Sequence, residues 1–457
     1  MPQVFRFAGE YLKVMRILII CPHFKPDVAP TGILMTAIVD ELCNSGHEVY
    51  VVTSLPWYRH HQVEPGWRGS LIHTQPSPRD SRRTEVKSTA ITKQVFKRLL
   101  SVKPRQAEKA ERRIITRVHP FPMSKTSIFA RAIGFVGFSG LATSVAVKPS
   151  VKPDVVLAMS PPLTLGLAGW LAARRWRVPL VLNVQDVYPD AMIQLGVIRN
   201  RCLIGMARRL ERFTYRCCDA ITVLSDEMRE NLDSKLSSSG HTRLQVIPNF
   251  VDTKRIHPLA RTTRYRSRYG LGDHTVVMYA GNIGFSQPLN LMLDAAHAFR
   301  HRKDVVFVIN GMGSALEALK SGAVGLNNVV FTDFQPEQHL NDVLASADVH
   351  VIVLKKGLAH SSVPSKLYSI LAAGRPVVVS LDAETEVSQV VKQANSGLAV
   401  PPEDSQAFIA AIEQLIDDPV LRQELGQNGR AFVESWVSVD MIAQAYLKLF
   451  TELANTS

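Results

Sequence analysis

Short apolar strands and amphipathic helices take turns along this chain, stop, and then begin again, so the one sequence encodes two parallel sheets. Arg16 to Cys21 is an apolar strand, a proline-rich loop runs to Gly32, and Ile33, Leu34, Ala37, Ile38 and Leu42 recur at helical spacing. Gly46 ends that helix and Val49 to Thr53 is the next strand, a βαβ unit whose crossover makes the two strands parallel. Further strands read at Asp154–Met159, Pro179–Val184, Ala220–Leu224 and Leu244–Ile247, with helices near Leu163–Arg175 and Leu203–Cys217. After Pro248-Asn249-Phe250-Val251-Asp252 the pattern restarts. Strands at Thr275–Ala280, Val305–Asn310, Val329–Phe331 and Val349–Leu354 alternate with helices at Leu289–His301, Ala315–Ser321 and Pro336–Ala347, and helical patterns fill Asp404 to Leu449. The expected architecture is α/β. Two Rossmann-like βαβ domains, residues 15–250 and 251–435, face a central cleft, and a helical segment 436–457 crosses back to the first. Open parallel sheets bind ligands beyond the carboxyl ends of their strands, so the chemistry is expected in that cleft.

The chain's 457 residues exceed what one core usually supports, and 46% hydrophobic against 20% charged residues exclude a largely disordered protein. The net charge of +13 is unevenly placed: residues 79–117 hold thirteen Lys/Arg against Asp80, Glu85, Glu108 and Glu111. That run lies in a basic excursion, 56–122, which breaks the strand–helix rhythm. It is either a solvated face or an attraction for anionic lipid or a diphosphate-bearing acceptor, and nucleic acid is not the expected partner. Five cysteines without a Cys-x-x-Cys pair point to a reducing compartment. Met1 to Val14 has no apolar core or cleavage site, and Met15, directly before the first strand, reads as the start. Ala132 to Val147 is uncharged but only 16 residues long and diluted by Gly and Ser, short of the roughly 20 apolar residues a spanning helix needs. It reads as a buried or membrane-surface helix. The expected location is cytoplasmic, peripheral at the inner face of the cytoplasmic membrane.

Val363-Pro364-Ser365-Lys366 followed by Leu367 to Gly374 reads as one device. Proline at a first helical position opens a short helix whose free N–H groups, with Lys366, can hold an anion. Gly374 ends it, and Arg375-Pro376 leads into an apolar strand. The first strand of the second half runs into Gly281-Asn282-Ile283-Gly284-Phe285-Ser286-Gln287. Two glycines three apart permit a tight turn and close approach of amides to phosphate oxygens, although an ordinary βα turn has the same pattern. Two amide-rich turns and a lysine at strand ends of one sheet suit a pyrophosphate. No Gly-x-x-x-x-Gly-Lys-Ser/Thr loop occurs, which argues against a P-loop ATPase.

In the first half, Gly32 ends the loop after strand one and is placed to meet a donor across the cleft. Asp186, in Asn183-Val184-Gln185-Asp186-Val187-Tyr188-Pro189-Asp190, follows a buried strand and is placed to accept a proton from, or orient, a sugar hydroxyl. The alternative for Asp186, and more so for Asp190, is a helix cap or an arginine partner. Ser160-Pro161-Pro162 rigidifies the rim. His60, His61 and His119 lack carboxylate or Cys partners at ligand spacing, and no Asp-x-Asp pair occurs, so neither a metal nor a separate cofactor is expected.

Together these motifs resemble glycosyltransferase family 4 over nearly the whole chain from Met15. The resemblance rests on Gly46-His47-Glu48-Val49, Cys218-Asp219-Ala220-Ile221-Thr222-Val223-Leu224-Ser225, Ile247-Pro248-Asn249-Phe250-Val251-Asp252, Tyr279-Ala280-Gly281-Asn282-Ile283-Gly284, and Pro364-Ser365-Lys366 with Ala373-Gly374-Arg375-Pro376. The Asn-x-Gln-Asp-x-Tyr-Pro-Asp stretch and the Pro-Ser-Lys helix resemble the WbuB-like subgroup, amino-deoxysugar transferases of surface-polysaccharide assembly. The resemblance implies the GT-B fold and transfer of a sugar from a nucleotide diphosphate with retention. It places Gly32, Gly281, Asn282, Gly284, Gln287, Val363, Pro364, Ser365, Lys366 and Ser369 around the nucleotide sugar. Lys366 and Asp186 would carry the chemistry, and a glycan or polyprenyl-diphosphate-linked molecule would be the acceptor. Two family glutamates eight apart are replaced by Ser361 and Ser369, and the basic residue that often follows the glycine-rich turn is absent at Asn282 and Gln287. The alternatives are a nucleotide-sugar 2-epimerase of the same fold, which would want more acid/base groups in the cleft, and a catalytically silent nucleotide-sugar-binding protein.

Overall fold

The structure, a computed structural model, describes residues 14–59, 61–75, 112–122, 128–148, 151–236, 242–358 and 364–456. The first sheet contains β1 (Arg16–Ile20), β2 (Glu48–Ser54), β3 (Ile72–Gln75), β4 (Arg113–Val118), β5 (Val155–Ser160), β6 (Leu180–Val184), β7 (Ala220–Val223) and β8 (Arg243–Val246). Their order is β3-β4-β2-β1-β5-β6-β7-β8, and β3 alone runs antiparallel to its neighbour. The central strands are covered on both faces, so β5 is buried at every position and reads as a continuous apolar run. Alternate residues divide between two layers. Ile17 and Ile19 pack with Met35, Val39 and Leu42 of the helix Pro30–Asn44 and with Ile442, Tyr446 and Phe450 of the final helix, Val439–Thr456. Leu18 and Ile20 pack with Phe138 and Ala142 of the helix Ile128–Ala146, and with Leu165 and Ala168 of Thr164–Trp176.

The second sheet contains β9 (Thr275–Asn282), β10 (Val305–Met312), β11 (Val329–Thr332), β12 (Val349–Val353), β13 (Val377–Ser380) and β14 (Gly397–Val400). All are parallel, in the order β11-β10-β9-β12-β13-β14. Two sheets of this make form a GT-B α/β fold.

Three elements depart from the sequence reading. The excursion 56–122 is not wholly outside the sheet: Arg113–Val118 pairs with β2 in parallel, and Ile72–Gln75 adds an edge. Its arginines hid it. Arg117, 1% exposed, donates to the carbonyls of Phe24 and Lys25 and lies 5.3 Å from the Trp67 ring, so it belongs to the interior and not to a basic patch. The helix Asp226–Leu236 fills the stretch between β7 and β8. The helix near Ile33 begins earlier, at Pro30, which puts Gly32 inside its first turn. Residues 76–111, most of the basic run, lie outside the described residues.

Candidate active site

Strand order locates the crevice in each sheet. In the second, β9 is followed outward by β10 and β11 on one side and by β12, β13 and β14 on the other. The switch point therefore falls between β9 and β12, where open sheets bind ligands. The glycine-rich turn leaves β9 there, and the helix Lys366–Ala372 follows β12.

This helix starts two residues later than the proline pattern suggests, at Lys366. Ser365 is its N-cap, without a side-chain cap bond, and Pro364 precedes it. Gly374, at φ +67°, takes the left-handed C′ position expected of it. Behind the helix, Gly426 of Pro419–Ser435 approaches so closely that a Cβ there would lie 2.4 Å from the Gly374 carbonyl oxygen. The side chain of Arg375 donates to the Leu259 and Ala345 carbonyls, so it fastens the helix exit and is not a cleft cation.

Lys366 Nζ is fully buried although the residue as a whole is only half-buried. It lies 3.8 Å from the centroid of the Tyr279 ring, and among the described residues it has no hydrogen-bond partner. Gly281, at φ +151°, leaves room for it: a Cβ at that position would come within 3.0 Å of Nζ. Burial pulls the amine down to about 7. The ring face eases the cost of the ammonium but does not satisfy its donors.

The turn is held in place by its own residues. The Tyr279 hydroxyl, its pKa raised by burial, donates to the Asn282 carbonyl. The Gly284 amide donates to Gln287 Oε1 at 3.1 Å, and the Lys355 amide to the Ser286 carbonyl at 3.0 Å. Gln287 is therefore a brace for the turn, and the Gly284 N–H is already engaged. Asn282 is exposed at the end of β9. Ser369, half-buried and three residues after Lys366, shares its helix face. Val363 and Ser361 lie outside the described residues.

In the first sheet the order reverses between β1 and β5. Asp186 is half-buried just beyond β6, one strand further along. The residues before it are tied down: Gln185 Nε2 donates to Asn183 Oδ1 at 2.7 Å, and Asn183 Nδ2 donates to the hydroxyls of Tyr446 at 2.9 Å and Thr222 at 3.1 Å. The final helix thus reaches the strand that presents Asp186. Asp190 instead pairs with Lys235 at 2.7 Å, which also holds Glu211, so its role is structural. Gly32 is buried, and a Cβ there would be 2.9 Å from His23 Cβ. Its lack of a side chain lets the helix close onto the loop after β1.

That loop holds what the motif reading missed. His23 Nδ1 lies 2.7 Å from Oδ2 of the buried Asp27, whose Oδ1 accepts from the amides of Val28 and Tyr58. The His23 ring stacks on Trp57 at 5.6 Å and meets the edge of Tyr58 at 5.3 Å. Only the four-residue spacing of His23 and Asp27 signals this in the sequence. Among the described residues no three His, Cys, Asp or Glu side chains cluster as a metal would require.

Two family models match the chain. Residues 34–249 match "Glycosyl transferase 4-like domain", and residues 274–418 match "Glycosyl transferases group 1". The chain belongs to glycosyltransferase family 4. This glycosyltransferase is 27% identical over 413 residues to the putative colanic acid biosynthesis glycosyl transferase WcaI of Escherichia coli K12, covering 88% of this chain and 92% of that one. Sucrose-phosphate synthase from Thermosynechococcus elongatus superposes with a TM-score of 0.68 at 17% identity, over 97% of this chain and all of the other. HepE from Anabaena, solved with UDP-glucose, superposes at 0.64 with 15% identity, over 96% of this chain and all of the other.

Proposed function

We propose that this glycosyltransferase moves a hexosyl group, an amino-deoxyhexose, with retention from a nucleotide-diphosphate sugar to a polyprenyl-diphosphate-linked or other polysaccharide-precursor acceptor. The observation that carries the reading is the buried Lys366 amine, without a hydrogen-bond partner among the described residues, beside Gly281 at the switch point of the second sheet. A sealed amine held near neutrality is costly unless an anion arrives to complete it, and a diphosphate supplies the missing acceptors. Charge on the leaving diphosphate grows as the sugar–phosphate bond breaks, so a fixed ammonium there favours the transition state over the ground state. No metal is needed for this part of the work.

On the other side, Asp186 orients a sugar hydroxyl, and His23, steadied by Asp27 and flanked by Trp57 and Tyr58, meets the acceptor. The acceptor hydroxyl then attacks the anomeric carbon from the face the diphosphate leaves. UDP bound to HepE and the colanic acid assignment of WcaI support a nucleotide donor and a polysaccharide setting. The WbuB-like motifs support the amino-deoxy sugar. Among the described residues no helix is long and apolar enough to cross a membrane. A lipid-linked acceptor would be met at the inner face of the cytoplasmic membrane, with the basic run 79–111 adding attraction, Arg117 being interior. The test is a panel of nucleotide diphosphates and nucleotide sugars scored by thermal stabilisation, then release of nucleotide diphosphate on adding a lipid-linked acceptor. Stabilisation by one nucleotide class and acceptor-dependent release support the proposal. Indifference to every nucleotide, or release without acceptor transfer, contradicts it.

A further inference from the structure

Three helices lie side by side on one face of the first sheet: Ile128–Ala146, Thr164–Trp176 and Arg201–Arg216. Their inner residues, Phe138 and Ala142, Leu165 and Ala168, and Tyr215, share one core. The third helix is built against the usual rule for a surface helix, which hides its apolar stripe and shows its charges. It buries Glu211 and Thr214, with Glu211 held by Lys235 at 2.6 Å. It leaves Leu203, Met206 and Phe213 exposed, at 52%, 61% and 48%. These three fall at i, i+3 and i+10, one line along the helix.

The line does not stop there. Phe213 meets the Trp170 ring edge-on at 5.6 Å, next to the exposed Leu171 of the second helix, and Ile133 and Val136 of the first are exposed as well. Around this apolar strip Arg208, Arg209, Arg212, Arg174 and Arg175 are all exposed. Neither arginine-bearing helix has an exposed acid. The acid-bearing helix Asp226–Leu236 meets the third helix on its inner side, through Lys235 and Glu211, away from Phe213. Scattered exposed apolar residues need no explanation, but a line of them that runs from one helix onto the Trp170 ring of the next, with only arginines exposed as charges beside it, does.

We propose that this three-helix face docks on an anionic lipid surface. The apolar strip would enter the boundary between headgroups and acyl chains, and the guanidinium groups would lie at the lipid phosphates. This rests on the peripheral-membrane reading above and deepens it. It adds a structured, partly apolar contact to the charge attraction of the basic run 79–111, and two such signals together hold where one is released by salt.

The test is co-sedimentation of the full chain with vesicles of phosphatidylcholine alone and with phosphatidylglycerol added, at about 0.15 M and about 0.5 M salt. The wild type is expected to bind only the phosphatidylglycerol vesicles, and to keep part of that binding at the higher salt. Combined Leu203→Ser, Met206→Ser and Phe213→Ser should weaken it at least about tenfold at either salt. A second variant, Arg208→Glu with Arg209→Glu and Arg212→Glu, should weaken it similarly at the lower salt. Unchanged stabilisation by nucleotide diphosphate shows that each variant is folded. Wild-type binding by both variants, with loss only when segment 79–111 is neutralised, overturns this proposal and leaves the peripheral reading standing. Failure of the wild type to bind any vesicle overturns both. Dimers that the apolar variant dissociates, without vesicle binding by the wild type, would assign the face to a second copy of the chain and also overturn the proposal.

Discussion

Replacing Lys366 with methionine should stabilise the empty protein and spoil its response to nucleotides. The amine falls from 10.5 to about 7 because it is buried. At about 1.4 kcal/mol per tenfold change in proton affinity, that bounds the cost of the cation at about 5 kcal/mol. The residue as a whole keeps some contact with solvent and the Tyr279 ring offsets part of the cost, so about 2 kcal/mol is the expected net penalty. The pH dependence follows from the sign of the shift. Above pH 10.5 the amine is neutral in both states and no penalty exists. As the pH falls toward 7 the unfolded chain takes up the proton first, and the native state loses relative stability until both are charged. Methionine has similar volume and no charge. The melting transition of the second half, roughly 200 residues that hold Lys366, should therefore lie about 4–8 °C higher than in wild type near pH 7, with the difference shrinking as the pH is raised toward 10. With nucleotide diphosphate the gap should close. Loss of a charge-assisted contact of about 1.5–3 kcal/mol weakens binding by roughly ten- to 150-fold, which removes most of the ligand-induced stabilisation. Differential scanning fluorimetry with and without nucleotide, at three pH values, reads both effects. A variant that melts lower than wild type and is stabilised equally by nucleotides would refute the reasoning.

Other changes have separate signatures. Ser369→Glu restores a carboxylate on the Lys366 face of the helix, and should tighten nucleotide binding about tenfold by isothermal titration if the ribose lies there. Asp186→Asn should lower kcat by about a hundredfold while nucleotide-induced stabilisation is kept, since that residue acts on sugar and not on diphosphate. Gly426→Ala drives a Cβ to 2.4 Å from the Gly374 carbonyl oxygen. It should cost about 1–3 kcal/mol in urea unfolding and weaken nucleotide binding by displacing the Lys366 helix.

The parallel sheets were legible because their strands are apolar at nearly every position and their helices follow at regular intervals. The Gly374 cap was legible for the same reason, a residue type with one conformational use. Arg113–Val118 was not, because arginine reads as surface until a carbonyl-lined interior is known to receive it, as Phe24 and Lys25 receive Arg117. In the sequence Gln287 and Gly284 read as facing phosphate, whereas in the folded turn the one is bonded to the other. His23 and Asp27 lie four apart in a proline-rich loop, where spacing carries no periodicity. Their pairing depends on the chain folding back so that Tyr58 and Val28 also reach Asp27. The exposed line on Arg201–Arg216 is not legible in the sequence, because an amphipathic pattern says which residues share a face and not which way that face turns.

The most direct test is the structure of the protein with a nucleotide diphosphate bound. The account predicts the β-phosphate at the switch point between β9 and β12, an oxygen within about 3 Å of Lys366 Nζ, and Gly281 beside it. A diphosphate bound elsewhere, with Lys366 still sealed against Tyr279 and untouched, would contradict it.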